Sequence, residues 1–140
     1  MVIIRRAREE DAEEIRKLSI SLTVPRTSKV KTGFIEYKTP SEKDFKTRIK
    51  ESKLFYVAED SNNIIGFLSA YTDIILRKLD LSEDKIIQHI LKNRHRFVYY
   101  DQLAIEKVYQ GKGIGKLLLK THMNEVADNK YKVIYGGCFT

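Results

Sequence analysis

Residues 96–135 constrain the fold more than any other part of this sequence. The segment RFVYYDQLAIE at 96–106 is rich in β-branched and aromatic residues, which predicts a strand. A glycine-rich turn, a helix from about Gly113 to Asn129 and a strand at 132–135 follow it directly. Neighbouring strands that are joined through a helix run parallel, because the helix returns the chain to the end of the sheet where the first strand began. The sequence therefore predicts one βαβ unit.

The rest of the chain predicts six further helices and strands around this unit. They are a strand at 2–6, a helix at 7–22, a helix that begins near Ser41, two strands at 53–60 and 63–73, and a helix at 80–93 with Ser82 as its N-cap. The two strands flank the turn-forming sequence DSNN, so they predict an antiparallel hairpin. The stretch 23–40 contains both prolines and predicts a loop.

This order of elements predicts an α/β protein of the α+β type. We expect a mixed, mostly antiparallel central sheet that contains one parallel strand pair, with helices on both faces. The 140 residues are the size of one domain, so residues 1–140 are predicted to form a single domain.

Composition narrows the class of protein. No apolar stretch approaches the roughly 20 residues that a membrane span needs, and charged residues follow the short apolar start MVII too soon for a signal peptide. The single cysteine, Cys138, excludes a disulfide framework and fits a reducing compartment. We therefore expect a cytoplasmic protein without a membrane partner. The net charge of +7 favours an anionic partner, such as a phosphorylated cofactor, nucleic acid or an acidic surface.

The turn VYQGKGIGKL at 108–117 matches one of three phosphate-binding patterns. The nucleoside-triphosphate loop requires glycine where Gln110 stands and serine or threonine where Leu117 stands. The dinucleotide fingerprint requires a third glycine where Lys116 stands. The pattern [Q/R]-x-x-G-x-[G/A] fits 110–115 at every fixed position. A helix that begins after such a turn offers free N–H groups and about half a positive charge, which suit a diphosphate.

The segment YDQLAIEKVYQGKGIGKLLLK at 100–120 resembles the acetyl-coenzyme A binding segment of the GNAT superfamily of N-acetyltransferases. The resemblance extends to the opening IIRRAREEDAEEI and to the predicted hairpin, and so covers most of the chain. It implies that the strand before the turn splays from its neighbour and that its backbone groups bind the pantetheine arm of acetyl-CoA. The residues implied in cofactor binding are Leu103, Ala104, Ile105, Gln110, Gly111, Lys112, Gly113, Ile114, Gly115 and Lys116.

The resemblance implies acetyl transfer to a primary amine of a small molecule or a protein by direct attack on the thioester. Asp101 is a candidate base because it lies on the cofactor strand, although it is equally a strand residue bonded to a neighbour. Glu36 is a second candidate, in the region that covers the acceptor site in relatives, and is otherwise an exposed loop acid. Much of the family takes its acid from a tyrosine in a helix beyond the last strand. The sequence reaches Thr140 just past that strand, so no residue is assigned as the acid. We expect either that this domain continues past Thr140 or that it is unusually short.

The tyrosines, histidines and cysteine outside the glycine turn suggest no second catalytic mechanism. Tyr99 and Tyr100 face opposite sides of their strand, so at most one is functional. The three histidines, at 89, 95 and 122, lack metal-ligand spacing and are expected at the surface. Cys138 is expected as a buried thiol, and the stretch 73–96 as an extra packed helix or as a segment that shapes acceptor specificity or a homodimer interface.

Two alternative functions stay open at this point. The absence of the acid-bearing helix from the sequence is compatible with a coenzyme A binding module that performs no catalysis. The segment LKNRHRFVYY at 91–100 interleaves basic and aromatic residues, which is compatible with a nucleic-acid binding module, although the glycine turn makes this less favoured.

Overall fold

The computed structural model describes residues 1–24, 34–35, 39–79, 85–92, 96–128 and 133–136. Within these ranges the strands are β1 (Val2–Arg6), β2 (Thr23–Val24), β3 (Phe34–Ile35), β4 (Phe55–Asp60), β5 (Asn63–Thr72), β6 (Phe97–Ile105) and β7 (Val133–Gly136). The helices are α1 (Ala12–Leu22), α2 (Glu42–Glu51), α3 (Asp73–Lys78), α4 (Lys85–Ile90) and α5 (Ile114–Asp128). None of the helices in these ranges is long and apolar enough to cross a membrane.

A five-stranded sheet with the order β1-β4-β5-β6-β7 forms the centre of the fold. The pairs β1–β4, β4–β5 and β5–β6 are antiparallel, whereas β6 and β7 are parallel. This arrangement confirms the predicted α+β class, the hairpin of β4 and β5, and the parallel pair joined through α5. The short strands β2 and β3 form a separate parallel pair within the predicted loop 23–40.

Helices cover both faces of this sheet. On one face, α1 and α2 bury apolar side chains against β4, β5 and β6; this core includes Ile15, Leu18, Phe45, Ile49, Phe55, Val57 and Phe67. On the other face, α5 packs Ile114 and Leu118 against Tyr56, Ile65 and Leu68. Because both faces are covered, β5 is buried at every position from Ile64 to Tyr71 rather than at alternate positions.

Two helices begin at side-chain caps. The Ser41 hydroxyl accepts a hydrogen bond from the Asp44 N–H at 3.1 Å, and the Ser41 N–H donates to the Asp44 carboxylate at 3.3 Å. This reciprocal pair is a capping box, and it confirms the predicted start of α2 near Ser41. The Thr72 hydroxyl accepts from the Ile75 N–H at 3.3 Å and so begins α3, which the sequence did not predict.

The structure corrects two predictions about α5. His122 was expected at the surface but is completely buried. The apolar residues Ile114, Leu117, Leu118 and Val126 predict a buried side of this helix that includes Leu117, but Leu117 is 44% exposed. The reason is the four-residue spacing of Ile114, Leu118, His122 and Val126, which puts these four side chains in one stripe facing the sheet. Leu117 lies one position away from that stripe.

The structure also tests the predicted start of the first helix and the predicted exposure of His89. The helix predicted at 7–22 begins only at Ala12, after a 3₁₀ turn at Glu9–Asp11. His89 is exposed, as predicted. Four residues to which the sequence assigns a site, a cap or a degree of burial lie outside the described part of the chain: Glu36, Ser82, His95 and Cys138.

Candidate active site

The turn between β6 and α5 is built around two glycines with left-handed backbone conformations. Gly111 has φ +79° and Gly113 has φ +84°, values that side-chain-bearing residues rarely adopt. A Cβ added at either position would meet no other atom within 4 Å, so both glycines present bare backbone to open space. At Gly115, by contrast, a Cβ would make ordinary van der Waals contact with Leu103 Cδ2 at 3.7 Å.

Hydrogen bonds connect this turn to the sheet and lead into α5. The Gln110 side-chain amide donates to the Ile105 carbonyl at 2.9 Å, and the Tyr109 hydroxyl donates to the Asp60 carboxylate at 2.8 Å. The Leu117 N–H donates to the Gly113 carbonyl at 3.1 Å and begins the hydrogen bonding of the helix. The N–H groups of the first three helical residues, Ile114 to Lys116, therefore have no carbonyl acceptor within the helix.

The electrostatics of the turn suit an anion. The side chains of Lys112 and Lys116 are exposed beside it, and the first turn of α5 contains no acidic residue. The helix dipole adds partial positive charge at the same end. The Lys112 ammonium lies 5.4 Å from the centre of the Tyr109 ring, a cation–π contact that holds it close to the turn.

An open strand edge runs from this turn into the sheet. Pairing of β6 with β7 extends from Phe97 to Tyr100, and among the described residues no strand pairs with the next stretch of β6, Asp101–Ile105, on that side. The Ile105 carbonyl points away from β5, because it accepts from Gln110. Backbone groups alternate between the two edges of a strand, so those of Leu103 share this open edge while those of Ala104 face β5.

Asp101 lies at a β-bulge in β6. Ser69 pairs with Gln102 and Ala70 pairs with Tyr100, which leaves Asp101 as the extra residue. Bulges bend a strand and redirect its side chains. The Asp101 carboxylate accepts from the Arg48 guanidinium at 3.4 Å, and both side chains are mostly buried, with 19% and 14% exposed. The bulge thus places Asp101 in an ion pair with α2.

Tyr71 and Arg48, beside this ion pair, shift each other's pKa. Burial raises the pKa of the Tyr71 phenol above its ordinary value, and the Asp101 carboxylate raises it further, although Arg48 opposes both effects. Burial lowers the pKa of Arg48, but interactions with Tyr71 and Asp101 outweigh it and the net shift is upward. Tyr71 is therefore a neutral phenol and Arg48 a cation at neutral pH.

The two tyrosines before the bulge face opposite sides, as predicted. Tyr99 is buried in a core with Tyr71 and Phe97. Tyr100 is half-buried on the α5 face, and its hydroxyl contacts Met123 Sδ at 2.9 Å. The sequence predicts that Glu106 ends the strand rather than takes part in the chemistry, and in the structure it is exposed and directly follows β6.

Sequence reasoning missed Arg48, Asp60 and Tyr109. Arg48 is 53 residues from Asp101, and Asp60 is 49 residues from Tyr109, so no local pattern links either pair. Only the position of Tyr109, directly before the glycine pattern, is a signal in the sequence.

Comparison with known proteins identifies the family. A model of the acetyltransferase (GNAT) family matches residues 28–139, about four fifths of the chain. The chain belongs to this family. It is an acetyltransferase, and acetyl-CoA is its acetyl donor. No curated protein sequence matches it at a significant level.

Solved structures with this fold act on different acceptors. One is a ribosomal-protein-alanine N-acetyltransferase from Brucella melitensis biovar Abortus 2308, with 16% identity, a TM-score of 0.59, and coverage of 98% of this chain and 80% of that one. An aminoglycoside acetyltransferase from an uncultured soil metagenomic sample, in complex with sisomicin, has 20% identity, a TM-score of 0.60, and coverage of 99% and 78%. A diaminobutyrate acetyltransferase from Paenibacillus lautus, in complex with its substrate and coenzyme A, has 19% identity, a TM-score of 0.54, and coverage of 89% and 57%. At these identities the likeness shows the fold alone.

The residues of the turn fit the diphosphate of acetyl-CoA. Gly111 and Gly113 leave space that a side chain would fill, and the N–H groups at the start of α5 follow directly. The open edge at Leu103 and Ile105 continues from the turn, which suits the amide groups of a pantetheine arm.

Proposed function

We propose that this chain transfers the acetyl group of acetyl-CoA to a primary amine of a small molecule or a protein. One observation carries the proposal: the glycine turn and the start of α5 follow β6 directly, and on the side of β6 away from β5 no described strand pairs with Asp101–Ile105. A diphosphate at the turn directs the rest of an extended cofactor along that edge.

The cofactor is held by backbone groups and two lysines in this proposal. The N–H groups at Ile114, Gly115 and Lys116 bind the diphosphate, and the charges of Lys112 and Lys116 add to the attraction. Gln110 holds the Ile105 carbonyl, which keeps the turn attached to β6. Leu103 offers the backbone groups for the pantetheine arm, whereas Ala104 supports the strand from the β5 side.

Acetyl transfer requires a neutral amine close to the thioester. A bond forms between the amine nitrogen and the carbonyl carbon, the carbon–sulfur bond breaks, and the amine loses a proton while the thiolate gains one. We propose that Asp101 takes the proton from the amine and orients it. The ion pair with Arg48 fixes the carboxylate for this task. Glu36 stays a second candidate for the base.

An amine-dependent assay tests the proposal. The purified protein is mixed with acetyl-CoA and a panel of primary amines, and the release of coenzyme A thiol is followed with a thiol reagent. The signal is corrected for the chain's own Cys138. We expect thiol release that depends on both the protein and an amine. Binding of coenzyme A without transfer to any small amine, peptide or protein N-terminus would contradict catalysis and favour a binding module.

A further inference from the structure

We propose that the hydrogen bond between Asp60 and Tyr109 positions the phosphate-binding turn, so that both are positioning residues for acetyl-CoA. This inference rests on the proposed function, because it concerns the same cofactor site. Neither residue belongs to the glycine pattern, and neither is placed in contact with the cofactor.

The geometry connects two distant parts of the chain. Asp60 is the last residue of β4, at a tight turn whose two residues, Ser61 and Asn62, have φ values of 51° and 67°. One carboxylate oxygen of Asp60 accepts from the Tyr109 hydroxyl at 2.8 Å, and the other accepts from the Met1 ammonium at 3.1 Å. The Tyr109 hydrogen bond, followed by that from the amino terminus, lowers the pKa of Asp60.

Tyr109 links Asp60 to the glycines of the turn. Tyr109 directly precedes Gln110 in the chain. The centre of its ring lies 5.4 Å from the ammonium of Lys112, the residue between Gly111 and Gly113. Glycines adopt many backbone conformations, so a turn with two of them needs anchors outside itself. Gln110 is attached to Ile105 on one side, and Tyr109 is attached to Asp60 on the other. Loss of one anchor lowers the fraction of turns in the binding conformation, and the apparent affinity falls with that fraction.

The negative charge of Asp60 and its hydrogen bond to Tyr109 have opposite effects on the binding of coenzyme A. A carboxylate close to a diphosphate site weakens the binding of an anion by repulsion. If Asp60 acted through its charge alone, its removal would tighten the binding of coenzyme A. If it acts by holding Tyr109, its removal weakens binding. The sign of the change therefore separates the two roles.

The experiment measures the dissociation constant of coenzyme A by calorimetry and the steady-state kinetics with acetyl-CoA. The purification tag is placed at the C-terminus so that the Met1 ammonium is retained. We expect Tyr109→Phe and Asp60→Ala each to raise the dissociation constant and the KM for acetyl-CoA about threefold to tenfold with kcat unchanged. Asp60→Asn keeps an acceptor oxygen for the Tyr109 hydroxyl, so it binds as tightly as the wild type or more tightly. The double variant Asp60→Ala/Tyr109→Phe binds no more weakly than the weaker single variant, because both remove one hydrogen bond.

Tyr56→Phe is the matched control. It removes a tyrosine hydroxyl from the same strand as Asp60, and this hydroxyl interacts with Glu125 and Arg6. We expect its coenzyme A affinity to equal that of the wild type. Wild-type affinity in folded Tyr109→Phe and Asp60→Ala proteins, or tighter binding by Asp60→Ala, would overturn the inference. A wild-type protein that binds no coenzyme A would refute the proposed function, and this inference with it.

Discussion

The buried histidine on α5 makes a specific prediction about stability and pH. His122 is completely buried, and among the described residues neither ring nitrogen has a hydrogen-bond partner. Its ring packs against those of Tyr100 and Tyr56, with centroids 4.5 and 6.5 Å away. Burial lowers the pKa of His122 from 6.5 to about 4, because the protonated ring loses its hydration. The folded protein therefore holds this imidazole neutral.

The direction and size of the effect follow from this shift. Above pH 6.5 the ring is neutral in both the folded and the unfolded protein, so it contributes no pH dependence. As the pH falls from 6.5 to about 4, the unfolded chain takes up a proton that the folded chain does not, and the folded state loses relative stability. One pKa unit corresponds to about 1.4 kcal/mol, so the loss is about 3 kcal/mol at most. A loss of this size is a large fraction of a small domain's stability.

Urea unfolding of the wild type and of His122→Leu between pH 7.5 and pH 4 tests this. Leucine fills the apolar site without unpaired nitrogens, so we expect His122→Leu to be at least as stable as the wild type at pH 7.5. On acidification the wild type loses about 2–3 kcal/mol more than the variant. The exposed His89→Leu serves as control for the loss of a surface histidine. Parallel pH dependence of the wild type and His122→Leu would refute the reasoning.

Four further substitutions test the sheet, the candidate base and the two lysines. Gly66→Ala places a Cβ 3.0 Å from the Ala104 carbonyl oxygen, between paired strands, and should lower the free energy of unfolding by about 1–3 kcal/mol in urea titrations. Asp101→Asn should lower kcat by on the order of a hundredfold, with coenzyme A affinity unchanged in calorimetry. Lys112→Ala and Lys116→Ala should each weaken coenzyme A binding moderately, and the loss should shrink in high salt because exposed charges are screened.

Gly66→Ala and Asp101→Asn have matched controls, and the predictions for Asp101 and the lysines have results that would contradict them. Gly115→Ala places its Cβ in ordinary contact, so it should retain the stability that Gly66→Ala loses. Glu106→Gln removes an exposed acid from the end of the same strand as Asp101 and should retain kcat. Normal turnover in folded Asp101→Asn would remove Asp101 as the base. Lysine effects that persist unchanged in high salt would contradict a screened surface attraction.

The elements on either side of the glycine turn were predictable because their signals are local. The glycine pattern, the β-rich segment before it and the helix after it lie within one stretch of sequence, and the structure places them as β6, a turn and α5. The hairpin of β4 and β5 was predictable for the same reason. Local propensity and turn chemistry decide such segments without help from the rest of the fold.

The remaining features depend on contacts between distant residues. The short helix α3 begins at the Thr72 cap and has only six residues, which is too short for helical periodicity to indicate it. Histidine is intermediate in its tendency to be buried, so its residue type alone does not decide its position; the stripe from Ile114 to Val126 buries His122. The ion pair of Arg48 with Asp101 joins a helix to a bulge, and no spacing in the sequence encodes it.

The central claim is that the turn at 110–116 binds the diphosphate of acetyl-CoA, and calorimetry with Gly113→Asp tests it most directly. Aspartate at Gly113 adds a side chain in a left-handed backbone conformation and a negative charge at the diphosphate. Asn124→Asp adds the same charge at an exposed position further along α5 and serves as the control. We predict that the wild type and Asn124→Asp bind coenzyme A alike, and that Gly113→Asp folds but shows no measurable binding. Unchanged affinity in a folded Gly113→Asp protein would contradict the claim.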